Sequence, residues 1–351
     1  MRSHGKLVWW LVGIGWLVSA TPCAGKPPSA HAQPPSRVPA ELVGCELRGN
    51  ATVASNVVVY LDADGRTPVA RFTGARSALW LTKVPAGSSR LGIRTGLGTG
   101  SFRIRGYIDP AQAPVVSKAR LEIAKGHLWI PEGQTVRVMA AGKDRFRVEK
   151  RLAGPIDQSF EAWAACGQLA LGAGRPSPSR VPGTALSYVL EAPTIELYDD
   201  WRAGRRRLTS LQRSPQGAGL LLFSTQRTAQ WVRVLYFGGV EIDAWVPSQD
   251  LVALPPGEIS DGSPAAPVDV SRTLKLAEWM RETRTHAEVP IRLQAREQAP
   301  VVGVVERDTD TVVVNEVAGW SSVVPRSMHV APYGGGGFWV RTGELDNAAR
   351  P

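Results

Sequence analysis

The chain is poor in the residues that carry most enzyme chemistry. Its 351 positions hold five histidines and three cysteines. His4 and His31 lie in the N-terminal segment, and His127, His286 and His329 stand apart, so no two share a metal-ligand spacing. There is no G-x-S-x-G elbow, no H-E-x-x-H pair and no phosphate-cradling G-x-x-x-x-G-K-[ST] loop. Gly96-Leu97-Gly98-Thr99-Gly100-Ser101 comes near a dinucleotide fingerprint, but Ser101 occupies the third glycine's place and no βαβ pattern surrounds it. Asp62 and Asp64 suggest a calcium loop, yet Gly65 falls too early and no glutamate closes twelve residues. Cys166, in Ala164-Ala165-Cys166-Gly167, lacks the His partner and helix start that make a thiolate reactive. These absences predict a protein that is not an enzyme, with no cofactor and no metal. Lys/Arg-rich helices and aromatic RNA-binding motifs are missing too, which excludes nucleic acid as the expected partner.

Long apolar runs are also missing, except at the start. Arg2 and Lys6 precede the uncharged stretch Leu7–Val18, and small residues follow it. This three-part layout predicts a signal peptide over 1–24. The run is short of the roughly 20 apolar residues a membrane span needs. An uncleaved anchor, or a lipid on Cys23 after Ala20-Thr21-Pro22, are the two alternatives that would hold the chain at a membrane. Residues 25–40 contain five prolines and few apolar groups, the composition of an extended tether. The expected location is therefore periplasmic or extracellular. With Cys23 in the signal, Cys45 and Cys166 remain as an even pair in an oxidising compartment, and a disulfide between them is predicted.

Charge is unevenly spread. The whole chain carries +10. Residues 40–172 hold 18 Lys and Arg against 11 Asp and Glu, whereas 288–346 hold 5 against 8. A basic front half favours anionic partners such as wall polymers, lipid head groups or acidic proteins.

What is abundant is β-forming sequence. Val57-Val58-Val59-Tyr60-Leu61, Thr135-Val136-Arg137-Val138, Trp231-Val232-Arg233-Val234 and Thr311-Val312-Val313-Val314 are β-branched or aromatic runs, punctuated by Gly, Pro, Asp and Asn. One short helix is expected over Ser271–Arg284, from Leu276, Trp279 and Met280. The strands also repeat. EAWAACGQL (161–169), DAWVPSQDL (243–251) and GFWVRTGEL (337–345) each place a Leu six positions after a Trp, and RGYIDPAQA (105–113) is a looser copy. Val59 precedes Tyr107 by 48 residues, Ile195 precedes Trp245 by 50, Ile291 precedes Trp339 by 48, and Ile123 precedes Trp163 by 40. Units of this size, built of short strands, predict an all-β chain of tandem small barrels.

The fourth copy carries Pro300-Val301-Val302-Gly303-Val304-Val305, Thr311-Val312-Val313-Val314, Gly319-Trp320 and Phe338-Trp339-Val340 with Leu345. This order resembles a bacterial SH3-like domain, and the third copy shares its second half through Trp231, Trp245, Val246 and Leu251. The resemblance implies two divergent SH3-like units over 41–172, a third over 187–254, and a fourth within 271–347 behind the short helix. Pro/Gly/Ser-rich linkers over 173–186 and 255–270 would join them. A fold of this kind does not name its ligand. The expected function is non-enzymatic docking on a cell-wall polymer such as peptidoglycan, or on an envelope protein. The competing expectations are a structural or assembly factor of an envelope complex and, third, an enzyme with an unrecognised site. The recurring Trp231, Trp245, Trp320 and Trp339 are expected in the barrel cores. The polar loop Tyr198–Arg207 has no counterpart in the fourth copy. Its Tyr198, Trp201, Arg205, Arg206 and Arg207 are the expected ligand-binding residues, suited to stacking on a sugar or peptide and pairing with its charges.

Overall fold

Alternation of buried and outward side chains runs through many of the strands. A computed structural model describes residues 41–96, 101–152, 156–176, 181–190, 192–213, 220–254, 280–327, 329–334 and 336–345. The signal peptide, the tether and the 255–270 linker lie outside the described residues. Within them the secondary structure is β-strand, joined by turns and four three-residue 3-10 segments. No helix among the described residues is long and apolar enough to cross a membrane. In Arg76–Thr82, Ser77, Leu79 and Leu81 are buried while Arg76, Ala78 and Trp80 face outward. In Gln158–Ala165, Phe160, Ala162 and Ala164 are buried in the same way. A period of two leaves one face for the core and the other for solvent.

The helix expected over Ser271–Arg284 needs correction. Residues 271–279 lie outside the described set, and Arg281–Arg284 is a strand, paired antiparallel with 310–313 of Asp310–Val317. Thr283 is buried between Glu282 and Arg284, which are exposed, so the alternation there has the strand period.

The repeat has a geometric counterpart. Opening and closing strands meet at Tyr60 with Tyr107, at Tyr198 with Trp245 and at Arg292 with Trp339. The separation is 47 residues in all three (107 − 60, 245 − 198, 339 − 292). Four closing strands each run into one 3-10 turn, at Pro110–Gln112, Cys166–Gln168, Ser248–Asp250 and Thr342–Glu344. Each turn is followed by a buried residue: Ala113, Leu169, Leu251 or Leu345.

Strands also pair between copies. Phe102–Ile108 of the first lies beside Val301–Val305 of the fourth, with Ile104 opposite Gly303. Leu128–Ile130 of the second lies beside Glu241–Pro247 of the third, with Leu128 opposite Ile242. Trp129 Nε1 donates to Glu241 at 2.8 Å, and Gln158 Nε2 donates to the Ser210 carbonyl at 3.0 Å, tightening the second junction. The described strands thus belong to one compact unit. The first and second copies are joined covalently as well, by the Cys45–Cys166 disulfide with Cα atoms 5.1 Å apart. Cys45 is fully buried just before strand Leu47–Thr52, and Cys166 opens the 3-10 turn after Gln158–Ala165.

Of the four tryptophans expected in the core, Trp320 is buried. Trp231, Trp245 and Trp339 are only half-buried. Their flanking residues fill the interior instead: Val232 and Val234, Ala244 and Val246, Phe338 and Val340. Strand alternation cannot bury both sets at once.

Candidate functional site

The half-buried tryptophans of the third copy converge with the loop that follows its opening strand. Strand Thr194–Tyr198 buries Ile195 and Leu197 and turns Tyr198 outward. It pairs with Arg207–Gln212, and the loop between them is held by its own acids. Asp199 Oδ1 accepts from the Arg206 amide at 2.7 Å, and Asp200 Oδ1 accepts from the Trp201 amide at 2.7 Å. Gly204, at φ +86, supplies the left-handed backbone that closes the turn. Asp199 and Asp200 therefore shape the loop from within.

Four aromatic rings lie together on this surface. Tyr198 meets Trp231 edge-on, with centroids 5.4 Å apart. Trp201 lies 6.3 Å from Trp245. Tyr198 stands directly opposite Trp245 across the strands, so the two ring pairs adjoin. The Arg205 guanidinium sits 4.4 Å from the Trp231 centroid and 5.3 Å from that of Tyr198. Trp201 is 38% exposed although it contacts Trp245. On the adjacent strands Arg233 forms a two-pronged pair with Asp243, both contacts 2.7 Å, and this fixes the platform on which Trp231 and Trp245 stand.

The three consecutive arginines that end the loop, Arg205 to Arg207, have separate fates. Arg205 stacks on the rings. Arg206 reaches Asp199 at 3.6 Å, and Arg207 pairs with Glu196 at 2.9 Å. Glu196 also accepts from Tyr198 Oη, which raises the phenol above its usual pKa. Of the five predicted residues the structure brings Tyr198, Trp201 and Arg205 to one surface and ties Arg206 and Arg207 into ion pairs at its edge. Trp231 and Trp245, expected in the core, join them. The missed signal was Arg233: it shares a face with Trp231 by period two, so that face had to be the wet one.

No protein-family model, curated protein or solved structure matches the chain. The reading of this surface therefore rests on its own chemistry.

Four rings and a stacked guanidinium suit a flat, partly apolar ligand bearing polar or anionic groups. A nearby recess in the same copy is lined by Tyr188, Arg227, Thr228, Ser248 and Leu251 among others, and offers no carboxylate, histidine or cysteine. Among the described residues no three His, Cys, Asp or Glu side chains gather in a form that would hold a metal ion.

His329 is buried, with Nδ1 2.7 Å from Ser327 Oγ. Burial holds its pKa below 6.5, against a smaller opposing pull from the Phe102 backbone. A depressed histidine contributes stability above its unfolded pKa, and that contribution is lost as pH falls below about 6.5 and through the lower folded value. The expected result is a smaller loss of unfolding free energy between about pH 7.5 and pH 5 for His329→Gln than for the parent chain. Urea titrations at both pH values measure it, and equal losses would reject the assignment.

Proposed function

We propose that this is an exported, non-enzymatic binding protein of the cell envelope. Its SH3-like units dock a wall polymer such as peptidoglycan, or an envelope protein, through the surface of Tyr198, Trp201, Trp231 and Trp245 with Arg205. The carrying observation is the exposure of Trp201 within a stacked aromatic cluster: a ring in a polar loop, held in place by neighbours yet open to solvent. Large rigid side chains of this kind give contact area at small entropic cost and dominate binding energies. The Cys45–Cys166 disulfide supports a location outside the reducing cytosol. The repeat register of 47 residues supports the tandem SH3-like reading. A second reading, a scaffold for an envelope assembly, draws support from the strands that pair between copies.

Trp201→Ala is expected to weaken retention on purified peptidoglycan at least about tenfold while leaving the melting temperature nearly unchanged, because an exposed ring adds little to the core. Co-sedimentation and thermal melts measure both. Normal binding by the variant would remove Trp201 from the site, and a large drop in melting temperature would make it a packing residue. Failure of the parent protein to sediment with peptidoglycan would favour the scaffold reading.

A further inference from the structure

The basic front half of the chain concentrates part of its charge in a single row. Strands Leu47–Thr52, Arg76–Thr82, Leu91–Thr95 and Phe102–Ile108 lie side by side in that order. Their register sets Arg48 opposite Trp80, Trp80 opposite Arg94, and Arg94 opposite Arg105. Leu47, Leu79, Leu81, Ile93 and Ile104 are buried on the other face, so the row looks outward. Trp80 is clamped between two guanidiniums, with Arg48 Cζ 3.9 Å and Arg94 Cζ 3.7 Å from its ring. At strand spacing the row extends about 14 Å.

These charges have no direct carboxylate partner. Among the described residues no carboxylate lies within 4 Å of the Arg48, Arg94 or Arg105 guanidinium, and Arg94 Nε makes no hydrogen bond. The neighbouring Arg103 is different, bridged to Glu306 at 3.0 Å and paired with Glu288. Arg151 with Asp157 and Arg341 with Glu297, each at 2.7 Å, are matched in the same way. Like charges directly opposite on a sheet oppose folding unless something of the other sign lies between them. Burial first, then Arg103, Arg105 and Arg48, lower the Arg94 pKa, against a smaller opposing pull from Glu306.

We propose that the row Arg48-Trp80-Arg94-Arg105 is a docking surface for a linear, phosphate-bearing polymer. This is a surface separate from the aromatic one on the third copy. Three features select the occupant. The charges form a line on an open face, which fits successive groups of a chain better than one enclosed anion. Arg94 and Arg105 stand on adjacent strands, and the two non-bridging oxygens of a chain phosphate diverge tetrahedrally, so that each can accept from a different guanidinium. Both Trp80 faces are covered by arginine, and none of the large exposed apolar side chains belongs to the row, so nothing is free to insert into a bilayer.

The test uses the full exported chain and inorganic polyphosphate as probe, titrated over a series of salt concentrations. Polygalacturonate and phosphatidylglycerol vesicles are the comparison ligands. The expected result is salt-sensitive binding to polyphosphate, stronger than to either comparison ligand. Each phosphate contact on a flexible single strand contributes about 0.7 to the slope of log affinity against log salt. The triple variant Arg48→Gln/Arg94→Gln/Arg105→Gln should therefore flatten that slope by about two, and Arg105→Gln alone by about 0.7. Arg105 is exposed and stacks on no ring, so the single variant reads the site even if the triple variant unfolds. A charge-matched control, Arg137→Gln/Arg147→Gln/Arg151→Gln on another sheet, should leave the slope unchanged. Trp201→Ala should bind polyphosphate normally, which keeps this site distinguishable from the aromatic one. The proposal is overturned if the control flattens the slope as much as the row variant does, if Arg105→Gln binds like the parent, or if polygalacturonate or vesicles bind as well as polyphosphate.

Discussion

The Cys45→Ala/Cys166→Ala variant is expected to lose about 4 kcal/mol of unfolding free energy, within the usual range of about 2–5 kcal/mol for loss of a native disulfide. The bridge closes a loop of 121 residues in sequence separation. In the chain-entropy account, a loop of that size withdraws about 4–5 kcal/mol of freedom from the unfolded chain. Position adds to the effect. Cys45 is fully buried where the first copy begins, and the Gly44 amide donates to the Gly142 carbonyl at 2.6 Å beside it. Releasing the sulfurs frees that corner from the second copy. Urea unfolding of the oxidised parent, the parent with reductant and the double variant measures the loss. The parent with reductant and the variant should agree within about 1 kcal/mol, because the mutation itself removes only two small side chains. A variant as stable as the oxidised parent would show that the two copies hold together without the bridge.

Gly303→Ala should cost about 3 kcal/mol through one added methyl group, the upper part of the usual range for overpacking. Gly303 lies opposite Ile104 where the first and fourth copies pair, and a Cβ there would fall 2.1 Å from the Arg103 carbonyl oxygen. That neighbour is backbone within a strand, so it cannot swing aside. The two strands would have to separate, weakening the pairs Phe102 with Val305 and Arg103 with Val304. Buried contacts just beyond would follow, including the Thr285 Oγ1 bond to the Glu306 carbonyl at 2.6 Å and the Glu306 amide bond to the Ser101 carbonyl at 2.9 Å. Gly343→Ala is the control, since a Cβ there meets nothing within 4 Å and the backbone is not left-handed. Equal melting temperatures for the two variants would show that the junction carries little of the stability.

Much of the β-structure was legible because strand signals are local. Val232, Val234, Ala244 and Val246 alternate with polar or aromatic neighbours, and the folded chain buries that set. The repeat was legible for the same reason, since each closing segment carries its own aromatic, turn and buried residue within nine positions. The misplaced tryptophans mark a limit of another kind. Size and apolarity argue for burial, but phase along the strand decides it, and Trp231 shares its phase with Arg233. The end of the expected helix failed similarly: at Arg281–Arg284 the partner strand, 310–313, decided the conformation.

The candidate loop was partly legible. Tyr198, Trp201 and Arg205 announced themselves as aromatic and cationic residues in a polar segment without a counterpart in the fourth copy. That Arg206 and Arg207 would be spent on Asp199 and Glu196 depended on which way each side chain left the hairpin.

By itself, then, the sequence determined what is periodic or near in chain: the strands, the repeat, the aromatic loop and, through cysteine arithmetic, the disulfide. Tertiary structure alone decided which copies share a sheet and which distant residues share a face. Arg48, Trp80, Arg94 and Arg105 follow no sequence period. They become a row because four strands adopt one order and one register, and that register is chosen by the buried faces, whose apolar contacts outweigh the repulsion between charges on the outer one.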